Sequence, residues 1–156
     1  MLHGVDRVTY VACGGPVDVN DPEWARRVAA HRARRPAGWS TVETRDVQSM
    51  LEAPGDPVLI DCLGTWLAGV MDECGLWSGQ ADADELLTAR VDALVAAWGR
   101  PARRVVAVSN EVGSGIIPAT ASGRRFRDEL GSVNARIAAA SDAVWLVTAG
   151  IGQRLR

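Results

Sequence analysis

Four short runs, Val8–Ala12, Val58–Asp61, Arg104–Ser109 and Ala143–Thr148, are almost continuously apolar and β-branched. A strand with one wet face alternates polar and apolar residues; a strand apolar at nearly every position needs cover on both faces. Segments with helical spacing lie between these runs, and strand–helix alternation requires crossovers that build a parallel sheet. The predicted class is therefore α/β: a mostly parallel sheet with helices on both faces, spanning residues 1–156 as a single domain. Trp39–Glu43 is read as a further, shorter strand.

Punctuation residues place the helices. Asp21 and Pro22 form an N-cap and N1 pair for a helix running to about Arg34, which Pro36 stops. Leu63 to Cys74 is read as a helix leading into a polar loop from Gly75 to Ala83. In Asp84–Trp98 the apolar residues Leu87, Val91, Leu94 and Trp98 recur every three or four positions, and Gly99 ends the pattern. Ser122–Ala140 carries the stripe Phe126, Leu130, Val133 and Ile137, with Arg124, Arg125, Arg127 and Asp128 away from it.

Composition excludes several classes of chemistry. All 17 basic residues are arginine, so these residues contain neither the phosphate loop G-x-x-x-x-G-K-[ST] nor a Schiff-base lysine. Cys13, Cys62 and Cys74 are odd in number and lack C-x-x-C spacing, which argues for a reducing compartment over disulfides or zinc. A net charge of −2 gives no reason to expect nucleic acid or an anionic membrane as partner. Met1–Tyr10 includes Asp6 and Arg7 and has no signal-peptide core, and Val58–Met71, broken by Asp61, is too short to span a bilayer. A soluble, cytoplasmic protein is expected.

Ligands of α/β sheets collect at the carboxyl ends of strands. Asp61 ends an apolar strand, the pattern of a magnesium-side carboxylate, and equally of a strand-end cap. Asn110, Glu111, Gly113 and Gly115 follow the next strand; they read as a substrate or metal loop whose glycines admit close approach or positive φ, or as a shaped turn. On the first helix, His31 lies three or four residues from Arg27, Arg34 and Arg35. Guanidinium neighbours favour a neutral, nucleophilic imidazole and attract polyphosphate; the plainer reading is a solvated basic face. Glu43 ends a short β-like segment and could accept bonds from a ribose or base; equally, it reads as a surface residue. His3 is assigned no role.

In order along the chain, these segments resemble one family. Arg27-Val28-x-x-His31-Arg32-x-x-Arg35-Pro36-x-x-Trp39-x-Thr41-Val42-Glu43 is similar to the histidine segment of the bifunctional adenosylcobinamide kinase/adenosylcobinamide-phosphate guanylyltransferases. Val58–Leu67, Val108–Pro118, Arg125–Asn134 and Val144–Gly150 resemble four further motifs of that family, so the likeness runs from Val8 to Arg156. The resemblance implies a P-loop NTPase fold of the RecA-like type and a role in cobalamin biosynthesis. It implies phosphorylation of adenosylcobinamide by ATP or GTP with Mg2+, then transfer of GMP from GTP through a guanylylated histidine. His31 matches that histidine. Arg32, Ala33, Arg34 and Arg35 are then expected to line the guanine nucleotide site, with Glu43 and Asp61 on nucleotide or magnesium. A homo-oligomer, specifically a homotrimer, is also implied.

The family opens with a strand and a G-G-x-x-S-G-K-S type loop, and nothing similar precedes Val8. The expectation is a chain short by roughly twenty residues, with Met1 an internal or misassigned start and two neighbouring strands left partly unpaired. Kinase activity is expected to suffer most, while His31 can still be guanylylated weakly if the remaining site folds. Two other readings stand beside this one: a catalytically impaired nucleotide- or corrinoid-binding remnant, and a nucleic-acid module using the basic helix. The acidic net charge and the lack of interleaved aromatics count against the second.

Overall fold

The structure, a computed structural model, describes residues 4–15 and 21–156. His3 and the start at Met1 lie outside the described residues. Strands β1 (Thr9–Ala12), β2 (Ser40–Glu43), β3 (Val58–Asp61) and β4 (Val105–Val108) form a parallel sheet in the order β2-β1-β3-β4. Between them run α1 (Pro22–Ala33), α2 (Val47–Glu52), α3 (Leu63–Glu73) and α4 (Ala83–Trp98), and α5 (Ala121–Ala139) follows β4.

Strand order decides which face each helix covers. From β1 the chain steps outward to β2, then returns across β1 to β3 and on to β4. Right-handed crossovers place α1 on one face and the helices after β2 on the other. Accordingly α2, α3, α4 and α5 pack on one another. Val11, Val58 and Ile60 point into their core, which Leu51, Trp66, Leu67, Met71, Leu94 and Leu130 fill. Tyr10 and Asp61, one residue out of phase, share the α1 face.

Two elements go beyond those the sequence predicts, and one predicted strand lies elsewhere. Helix α2 is only six residues long, but it has its own start signal: Asp46 accepts from Ser49 N at 3.1 Å. Val47 and Leu51, four apart, bury its inner face. The run predicted as a fourth sheet strand is β5 (Trp145–Thr148), which pairs antiparallel with β6 (Ile151–Arg154) instead of joining the parallel sheet. Ala149 (φ 51°) and Gly150 (φ 80°) turn this hairpin, the two positive φ values of a turn whose twist suits flanking strands. All four residues of β5 are exposed, Val147 at 65%. Among the described residues the outer edge of β4 has no strand partner, and Val108 is 45% exposed. No helix among them is long and apolar enough to cross a membrane.

Candidate active site

Where α1 ends, the chain makes a tight return to the sheet. Arg35 N donates to Arg32 O at 3.1 Å, and Trp39 N to Pro36 O at 3.0 Å. Pro36 cannot continue the helix, so the return begins there. Between this return and β2 lies a cavity of about 540 Å³ lined by Arg32, Arg35, Pro36, Ala37, Trp39, Thr41 and Glu43. Its size is that of a small-molecule site. Thr41 and Glu43 are two apart on β2 and so share one face.

The register sets the floor. Ala12 of β1 is paired with Glu43 on one side and Asp61 on the other. Two carboxylates at the carboxyl ends of β2 and β3 thus flank a methyl group, roughly 10 Å apart across two strand spacings. Such a trough suits a ligand bearing several polar groups along its length.

Charges in the wall are unevenly paired. Arg32 Nη2 forms an ion pair with Glu43 Oε1. Arg35 Nη1 donates to Thr41 Oγ1 at 2.8 Å, its guanidinium carbon sits 3.5 Å from the centre of the Tyr10 ring, and its buried Nε has no hydrogen-bond partner among the described residues. The Tyr10 hydroxyl donates to Asp61 Oδ2. Burial, chiefly, and then the Asp61 hydrogen bond and charge push the Tyr10 phenol up to about 12, against an opposing pull from Arg35.

The predicted site residues separate into groups. Arg32, Arg35 and Glu43 line the cavity, and Asp61 is tied to it through Tyr10. His31, Ala33 and Arg34 lie exposed on the same helix end, outside the wall. Asn110 lies against the end of β3: its carbonyl accepts from Asn134 Nδ2 at 3.0 Å, and its Oδ1 from Cys62 Sγ at 3.5 Å. A Cβ at Gly64 would collide with that Oδ1, so the approach of Asn110 to α3 requires glycine there. Glu111 folds back on Gly113 N at 2.5 Å, and Arg127 Nη2 donates to Gly113 O at 2.7 Å. Neither Gly113 nor Gly115 has positive φ, which removes that explanation of the glycine pair; Gly115 is exposed with open space around it.

Sequence reasoning missed Tyr10, Trp39 and Thr41 as site residues. For Thr41 a signal existed, its spacing of two from Glu43; for Tyr10 the strand order had to be known. A second cavity, of about 290 Å³ beside Trp66, is lined by Arg45 and Arg90, both already on Glu73 at 2.5 and 3.5 Å. Among the described residues no three His, Cys, Asp or Glu side chains are grouped to hold a metal.

Known proteins resemble this chain over nearly all of its length. The profile of the family described as "Cobinamide kinase / cobinamide phosphate guanyltransferase" matches residues 2–155. The bifunctional adenosylcobalamin biosynthesis protein CobU of Escherichia coli (strain K12) is 36% identical over 162 residues, covering 96% of this chain and 86% of that protein. Its namesake in Salmonella typhimurium is 35% identical over 168 residues, covering 100% and 90%. The bifunctional adenosylcobalamin biosynthesis protein CobP of Pseudomonas aeruginosa is 34% identical over 154 residues, covering 96% and 82%. With its parallel sheet and helices in an α/β arrangement consistent with a P-loop NTPase-like fold, the chain belongs to the CobU family of cobinamide kinases/cobinamide phosphate guanyltransferases.

Proposed function

We propose that this chain serves cobalamin biosynthesis by phosphorylating adenosylcobinamide with ATP or GTP and transferring GMP from GTP to the resulting phosphate. The supporting observation is the cavity between the end of α1 and β2, walled by Arg32 on the helix end that carries His31 and by Arg35 in the return that follows. Because the 156 residues hold no lysine, the reading gives most weight to the guanylyl half, whose proposed residues Arg32 and Arg35 line the cavity.

An imidazole nitrogen of His31 attacks the α-phosphorus of GTP. The N–P bond forms as the bond from α-phosphorus to the bridging oxygen breaks, and pyrophosphate departs with that electron pair. A phosphate oxygen of adenosylcobinamide phosphate then attacks the same phosphorus, the N–P bond breaks, and the imidazole is regenerated. Arg35, which lines the cavity and makes no ion pair among the described residues, offers its positive charge to the departing pyrophosphate. Magnesium suits one carboxylate with substrate phosphates completing its shell, and Asp61 has Oδ1 left beside the Oδ2 that Tyr10 occupies. Bound there, the ion would neutralise phosphate charge. The reading includes a cytoplasmic location, supported by three unbridged cysteines.

GTP labelled at its α-phosphate should leave an acid-labile label on the protein, and GTP labelled at its γ-phosphate should leave none. Retention of the γ label, or of neither, would count against guanylyl transfer; binding without retention would favour the impaired remnant. The reading also includes a homotrimer, which Trp77 and Trp145, 48% and 42% exposed, could help to seal. Sedimentation equilibrium should give three chain masses; a single chain mass would contradict it.

A further inference from the structure

Tyr10, the sole tyrosine of the chain, is 7% exposed in the middle of β1. Its neighbours in register are Thr41 on β2 and Leu59 on β3. Its ring carries the Arg35 guanidinium on its face, and its hydroxyl is committed to Asp61. A cation and an anion therefore bear on one side chain from two directions. Among the described residues Arg35 makes no ion pair, whereas Arg32 in the same wall is neutralised by Glu43. Arg35 lines the cavity with its guanidinium charge unneutralised, so an anion entering there would complete the site.

We propose that Tyr10 is a positioning residue for the nucleotide: its ring keeps Arg35 apart from Asp61, so that Arg35 meets the polyphosphate unneutralised while Asp61 stays fixed at the strand end. The inference rests on the guanylyl-transfer reading for the identity of the anion, and on the Tyr10 contacts for the rest. Delocalised guanidinium charge stacks well on an aromatic face, so the ring holds Arg35 without cancelling its charge. An aliphatic residue would hold neither partner, and Arg35 could then close on Asp61. Removing only the hydroxyl would leave Arg35 in place and release Asp61.

The test compares equilibrium GTP binding, followed by Trp39 in the cavity wall, with the rate of His31 labelling. In Tyr10→Phe the Kd for GTP should stay within about twofold of wild type. In Tyr10→Leu it should rise about tenfold, because Arg35 would no longer give the polyphosphate a charge-assisted hydrogen bond. The maximal labelling rate at saturating GTP should change far less in Tyr10→Leu than its KM. Equal Kd values in wild type and Tyr10→Leu, or equal weakening in both variants, would overturn the proposal. Labelling that fails in wild type while the two Kd values still separate would sink the transfer chemistry and leave the Tyr10 role standing. Because Tyr10→Leu alters a buried site, NMR of ring-labelled tyrosine supplies a test in the intact fold. Its single ring signal should move in both Arg35→Lys and Asp61→Asn; a signal indifferent to either contradicts the arrangement.

Discussion

Replacing His31 by alanine is expected to abolish retention of GMP on the protein and to cut GMP transfer to adenosylcobinamide phosphate by at least about a thousandfold. Alanine has no nitrogen to form the N–P bond, so the covalent step is lost outright. Arg32, Arg35, Thr41 and Glu43 still wall the cavity, so GTP affinity should be nearly unchanged. The fold should not suffer, since His31 is exposed in α1 and alanine is the better helix former. The check is turnover and GTP binding measured on the same preparation. Near-normal transfer by His31→Ala would remove the histidine from the mechanism.

Trp66→Ala should have the largest effect on stability, a loss of about 3–5 kcal/mol by urea denaturation. The side chain is 2% exposed within the core made by α2 to α5. Its Nε1 donates to Arg45 O at 3.0 Å, so truncation removes both packing and a hydrogen-bond donor. It also borders the second cavity, which would enlarge. Against a typical domain stability of about 5–15 kcal/mol, the variant would be marginal. Trp77→Ala, at an exposed position, should cost under about 0.5 kcal/mol. A Trp66→Ala loss below about 1 kcal/mol would contradict the packing described.

Much of this architecture is legible in the residues. β1, β3 and β4 lie within one residue of the runs expected, because each is apolar throughout and ends near a polar residue or turn. β5 shows the limit of that logic. Trp145-Leu146-Val147-Thr148 has the composition of a buried strand, yet composition does not say what lies beside it, and among the described residues its only strand partner is β6. The Ala149-Gly150 turn is the available sign of a hairpin. Helix α2 escapes because six residues are too few for a helical period to emerge, although the Asp46 cap is present.

The site divides in the same way. Arg32, Arg35 and Glu43 can be grouped because one short return joins α1 to β2, which makes their proximity local. Asp61 is remote in sequence, and its link to them depends on β1 lying between β2 and β3. Only that order puts Tyr10 within reach of both Asp61 and Arg35. His31 is the residue that geometry alone singles out least: it is exposed and outside the cavity wall, and the role proposed for it rests on the motif resemblance and on chemistry.

The most direct test of the central claim is to incubate the protein with GTP and magnesium, digest it at neutral to alkaline pH, and locate the GMP adduct by mass spectrometry. A single modified peptide with GMP on His31 is the expected result. GMP on another side chain, or an unmodified His31 peptide under conditions that support transfer, would contradict the mechanism.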